Sequence, residues 1–150
     1  MRIRCEHRTV CYEQGVQVFD RTTPFAPGVL LTVALGGSIG ASGRWFVAWA
    51  LDEMTRAHQP GTWPWSTLVV NVVGCALIGF AARGIQRDTK AWAFVVTGVL
   101  GGFTTFSALA VELNEMADAD RMSLALAYAG VTLVAGIAAT GIADLERGRR

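Results

Sequence analysis

The stretch TGVLGGFTTFSAL, Thr97 to Leu109, decides the fold. It lies inside an apolar run from Ala91 to Val111. A spanning helix needs about 20 mostly apolar residues, so this run is long enough to cross a bilayer. Gly101 and Gly102 sit at its middle, followed by Thr104, Thr105 and Ser107. Each glycine weakens a helix by roughly 1 kcal/mol relative to alanine. The hydroxyls can bond nearby backbone and hold a local break. Non-helical backbone at membrane depth persists only where it is buried in protein or lines a cavity. The pattern therefore predicts a span broken at its centre, and such breaks mark ion or substrate sites. A small-residue helix face packed on a neighbour has the same composition and is the competing reading.

The rest of the chain agrees with a membrane protein. Of 150 residues, 52% are hydrophobic and 17% charged, where a soluble domain carries about 25% charge. The apolar residues fall into four blocks, about 28–51, 66–82, 91–111 and 123–143. The fold class expected is all-α and integral to the membrane, with four spanning helices. Residues 1–27 form a polar tail without the apolar core of a signal peptide; disorder is expected there. Residues 144–150 form a polar C-terminal tail. A net charge of +1 gives no reason to expect a nucleic-acid partner. Cys5, Cys11 and Cys75 have no metal-binding spacing. Cys75 reads as a small buried hydrophobe, and Cys5 and Cys11 as reduced thiols if the tail is cytoplasmic. His58 reads as a solvated loop residue.

Few polar residues lie inside the blocks. Arg44 is a cation within the first, where an ionisable residue is a functional candidate by default; snorkelling to the interface beside Trp45 and Trp49 is the alternative. Asn71 is the one strongly polar residue of the second, read either as a bond to a neighbouring helix or as a donor into a polar pathway. In the fourth, Tyr128, Thr132, Gly136 and Thr140 recur every four residues along one helix face. There is no nucleophile with a base, no carboxylate pair and no phosphate loop, so an enzyme is not expected. Glu112, Glu115, Asp118 and Asp120 fall after the third block, which leaves only hydrogen-bond donors at depth. Donors without carboxylates suit a small anion. The ring edges of Phe103 and Phe106 carry positive quadrupole character and suit it too. Four thin spans can hardly enclose a wet pathway alone, so oligomerisation is expected.

These residues resemble the bacterial fluoride channels, the CrcB or Fluc family. The motifs are GGFTTFS (Gly101–Ser107), GGSIGASGRW (Gly36–Trp45) and VNVVG (Val70–Gly74), in order and at matching span positions across about residues 28–143. The resemblance implies four-span subunits with a broken third helix, paired as an antiparallel dimer with two fluoride pathways along the interface. It implies a structural Na⁺, not transported, on the backbone carbonyls of Gly101 and Thr104. It also implies fluoride contacts from Asn71 and Phe106, with Thr105, Ser107, Tyr128 and Thr132 on the polar side and Arg44 as a structural cation in span one. Two positions depart from the family pattern. Leu109 stands where a second phenylalanine is usual, and Gly136 where a third hydroxyl would fall.

The function implied is passive fluoride efflux across the plasma membrane, with fluoride and lipid as partners. Two alternatives stay open: a non-conducting subunit completing a partner's pore, or an ion-coupled transporter of a small solute. The Lys/Arg distribution bears on assembly. Arg21, Arg83, Arg87, Lys90, Arg147, Arg149 and Arg150 lie on the side of the termini, against Arg56 and Arg121 opposite. The positive-inside rule then places both termini in the cytoplasm. The dimer mate is either a second copy inserted the other way or an oppositely oriented homologue.

Overall fold

The computed structural model describes residues 4–5, 10–13, 16–19, 27–55, 62–87 and 89–145. Three stretches among them, Trp65–Gly84, Lys90–Asp118 and Met122–Gly141, are long and apolar enough to cross a membrane. The first helix, α1 (Pro27–Thr55), has the length but is not one of the three; its glycines, serines and Arg44 dilute its apolar content. The surface is apolar as a lipid-facing surface must be. Leu31, Leu35 and Ile39 of α1, and Leu126, Leu133 and Ile137 of the last helix, all point outward. The chain is a multi-pass membrane protein.

Helix α2 (Trp65–Gly84) follows α1. The third span is a succession of pieces. A short α3 (Lys90–Trp92) is capped by Thr89, whose hydroxyl accepts from Trp92 N. A π-helical stretch, Ala93–Leu100, follows, and then a single turn, α4 (Gly101–Phe103). At Thr104 (ψ 156°) and Thr105 (φ −145°, ψ 125°) the backbone becomes extended. Helix α5 (Phe106–Asp118) then restarts, with the Thr105 hydroxyl accepting from Ala108 N, a cap of the kind that contributes about 0.5–2 kcal/mol. The last helix is α6 (Met122–Leu145).

The span is therefore broken, but not at its glycines. Gly101 is helical, at φ −65° and ψ −35°. The glycines serve close approach instead. A Cβ on Gly102 would lie 2.5 Å from the Gly37 carbonyl oxygen, and one on Gly36 would lie 2.5 Å from that of Phe94. A Cβ on Gly40 would overlap the Val99 carbonyl, and Gly98 stacks on Gly36 in turn. Two small-residue stripes at four-residue spacing thus bring α1 and the first half of the third span into backbone contact.

The break lets one span serve two neighbours. Its first half packs on α1, and its second half, α5, packs on α6, which also lies along α2. A side-chain core lies at the α5–α6 end, where Met116, Ala125 and Tyr128 are buried among Trp63, Leu68, Leu109, Leu113 and Leu124. The Trp63 ring meets Tyr128 edge-on at 5.2 Å.

The N-terminal tail, expected to be disordered, contains three short strands. These are β1 (Arg4–Cys5), β2 (Val10–Glu13) and β3 (Val16–Phe19), paired antiparallel in chain order with Cys5 opposite Cys11 and Cys11 opposite Val18. The β-branched and aromatic residues of VCYE and VQVF favour strands, and net polarity alone had hidden that. His58 and residues 146–150 of the C-terminal tail lie outside the described residues.

Candidate functional site

The break is built from side chains of the other spans. Asn71, in the middle of α2, faces Thr105 with both ends of its amide. Its Nδ2 donates to the Thr105 carbonyl at 2.9 Å, and the Thr105 N–H donates to its Oδ1 at 2.8 Å. In an unbroken helix the Thr105 N–H would bond the Gly101 carbonyl; here it is diverted. Three residues on, Gly74 leaves the space that the Thr104 methyl fills. Arg44 Nη1 donates to the Thr104 carbonyl at 3.3 Å. The Thr104 hydroxyl bonds back to the Leu100 carbonyl at 3.0 Å. An unpaired buried backbone group costs about 1–3 kcal/mol, and more in hydrocarbon. Asn71 and Arg44 together remove that cost.

A groove of about 580 Å³ lies beside the break, lined by Asn71, Phe106, Leu109, Thr132 and Gly136 among others. Phe106 begins α5 and is 81% exposed. Thr132 lines the groove too, but its hydroxyl is buried, with the Tyr128 phenol as its polar neighbour. Asn71 has two N–H groups and one goes to Thr105, so a second donor remains. The Thr105 hydroxyl reaches Ser107 Oγ at 3.2 Å. Asn71, Phe106 and Thr132 thus share the groove, Thr105 joins Asn71 and Ser107 beside it, and Arg44, Gly101 and Thr104 lie at the break.

The rest of the expected hydroxyl track is differently employed. Thr140 donates to the Gly136 carbonyl at 3.0 Å. A side chain at Gly136 would press on Cys75 Sγ, 3.3 Å from where its Cβ would be. Leu109 is part of the packing around Tyr128. Tyr128 itself is wholly buried, and its phenol donates to Glu112 Oε2 at 2.8 Å.

Glu112 corrects the expectation that no carboxylate lies among these groups. Helix α5 continues past Val111 and turns Glu112 inward, where its other oxygen accepts from the Thr67 hydroxyl. The signal in the sequence was its place two helical turns after Thr105, on the face that carries Ala108 and Leu109. Both carboxylate oxygens have donors, and Glu112 is not part of the groove lining.

A span broken at an extended dipeptide, stapled from its neighbours and bordered by a groove with a spare donor, defines a membrane protein built to pass or hold a small solute. Residues 31–143 match the family model described as CrcB-like protein, Camphor Resistance (CrcB). The chain belongs to this family. Among curated relatives it is 44% identical over 112 residues to "Fluoride-specific ion channel FluC 2" of Streptomyces avermitilis, covering 70% of this chain and 66% of that one. It is 42% identical over 114 residues to "Fluoride-specific ion channel FluC 2" of Symbiobacterium thermophilum, covering 73% of this chain and 89% of that one. It is 37% identical to "Fluoride-specific ion channel FluC" of Bordetella parapertussis, over 81% of this chain and 94% of that one.

Proposed function

We propose that the chain is a fluoride channel subunit that lets fluoride leave the cytoplasm passively across the plasma membrane. The observation that carries this is the groove at the break. Asn71 keeps one N–H to spare and Phe106 an exposed ring, while the nearby Glu112 has both oxygens covered. The groove is open on one side, so a second subunit completes the pathway, either an inverted copy or an oppositely oriented homologue. The membrane potential supplies the drive, about 2.3 kcal/mol per charge per 100 mV.

A structural Na⁺ belongs to the same proposal. Neutral backbone oxygens suit a hard cation, and diverting the Thr105 N–H frees the Gly101 carbonyl. The Thr104 carbonyl keeps one lone pair beside the Arg44 bond. Two such oxygens are too few for one ion, so both subunits would contribute.

A second reading is a subunit that conducts only with a homologue. Leu109 supports it, being committed to packing around Tyr128 where the family usually has an aromatic side chain. Purified protein in fluoride-loaded liposomes tests both. Rapid fluoride release with chloride retained is the expected result, and replacing Na⁺ by a large organic cation should lower the melting temperature of the protein. Release only when a homologue is added would favour the second reading. No release in either case would overturn both.

A further inference from the structure

We propose that Cys5 and Cys11 form a reversible dithiol–disulfide site in the N-terminal sheet, oxidised by small-molecule disulfides. The observation is one of register. Strands β1 and β2 run antiparallel with Cys5 directly opposite Cys11 and Arg4 opposite Tyr12. Directly opposed residues in such a pair have Cα atoms about 4.5–5.5 Å apart. That falls inside the span of about 4.4–6.8 Å that a disulfide bridges. Opposed residues also share one face of the sheet, so the two cysteines lie on one rung and on the same side of it.

Spacing alone would not select this pair, because five residues separate the cysteines in sequence and a chain of that length can close in several registers. The third strand narrows the choice. Strand β2 is central and is paired with β3 along its length, Val10 opposite Phe19 through to Glu13 opposite Val16. This settles which face of β2 carries position 11. Strand β1 is paired at two positions only, so it is the strand a covalent bond would secure most. Two strands alone are marginal in water and a third adds stability, which links the oxidation state of the pair to the integrity of the sheet. Cys75 stands apart, on α2 at the border of the groove.

The chemistry is thiol–disulfide exchange in two steps. One cysteine thiolate attacks a sulfur of the oxidant, forming a mixed disulfide and releasing one small thiol. The second thiolate attacks the protein-side sulfur, closing the Cys5–Cys11 bond and releasing the other small thiol. Two electrons pass from the protein pair to the oxidant, and the two thiol protons end on the released thiols. Excess small thiol runs the same steps backwards. Reversal in the cell rests on the cytoplasmic placement of the termini, since disulfides in that compartment are transient; the pairing itself does not.

The test is a redox equilibrium on the full chain in detergent. The protein is equilibrated with glutathione and its disulfide, quenched with acid, denatured and alkylated, and the adducts are counted by mass. The reduced chain takes three adducts, one for each cysteine. The oxidised product should take one, at Cys75, with no glutathione attached and no bond between chains. Two comparisons separate register from spacing. Val10→Cys with Cys11→Ser brings the cysteines closer in sequence but moves one to the other face of β2. The native chain in concentrated urea keeps the spacing and loses the strands. Holding two thiols on one rung raises their effective concentration, so the disulfide-to-dithiol ratio should be about tenfold higher for the folded native chain than in either comparison. Equal ratios overturn the proposal, as do a persistent mixed disulfide, bonds between chains or a product that includes Cys75. In growing cells the pair should be reduced, should oxidise on brief exposure to diamide and should recover when it is removed; a pair already oxidised in unstressed cells overturns the reversible role. Fluoride movement enters none of these readouts, so their failure leaves the channel reading untouched.

Discussion

Asn71 serves both the break and the groove with one amide. Replacing it separates the two roles. Asn71→Ser is too short to reach both Thr105 groups and loses the staple, at about 1–3 kcal/mol for unpaired groups. Asn71→Asp keeps an acceptor for the Thr105 N–H but turns an oxygen toward the Thr105 carbonyl and toward the groove. A charge at that depth costs a further 2.5–3.5 kcal/mol, approximately, and repels an anion. Fluoride efflux in liposomes should therefore be about tenfold lower for Asp than for Ser, a difference of roughly 1.4 kcal/mol. If Asp conducts as well as Ser, the amide only holds the backbone. At this scale the sequence was partly legible. Asn71, Thr105 and Phe106 stand out as polar or aromatic residues beside a disrupted helix. Glu112 did not, because an acid one residue past an apolar run reads as the start of a loop. Its inward turn depends on Thr67 and Tyr128, which belong to two other helices.

The glycines of the third span work at the scale of the element. Gly101 and Gly102 were expected to break the helix, and the structure places the extended backbone two residues later. Propensity explains the misreading: glycine is a poor helix former in isolation. Here a glycine stripe on α1 lies opposite, and backbone contact makes up for the missing side chains. The consequence differs between neighbours. A Cβ on Gly102 meets the Gly37 oxygen at 2.5 Å, whereas on Gly101 the nearest atom is 3.7 Å away. Gly102→Ala should destabilise by about 1–3 kcal/mol through overpacking, read as a lower melting temperature in detergent, while Gly101→Ala should melt like the native protein. Equal melting of the two variants would mean that α1 and the third span are not in contact. That four apolar blocks mean helices was plain from their length. That the third block changes partners halfway was not, since periodicity reports a helix face and not which neighbour covers it.

For the whole molecule the open question of assembly is one of orientation. The excess of Lys and Arg on the side of the termini predicts a fixed insertion, and hence an oppositely oriented homologue as the mate. Single cysteines at Gln86 and His58, with Cys5, Cys11 and Cys75 replaced, should differ in intact cells. His58→Cys should react with an impermeant reagent and Gln86→Cys should not. Comparable labelling of both from outside, with the chain expressed alone, would establish dual insertion and a homodimer. The contact between Arg44 and Thr104 spans 60 residues of sequence, and this fixes an order of manufacture. Synthesis runs from the N-terminus, so α1 leaves the ribosome with its guanidinium and its glycine stripe long before the backbone that receives them exists. The first helix to emerge is thus settled only when the third span follows it. Until residue 104 arrives, the nascent chain carries an unmatched charge and an unfilled seam, the form that insertion machinery must shelter and quality-control proteases would meet.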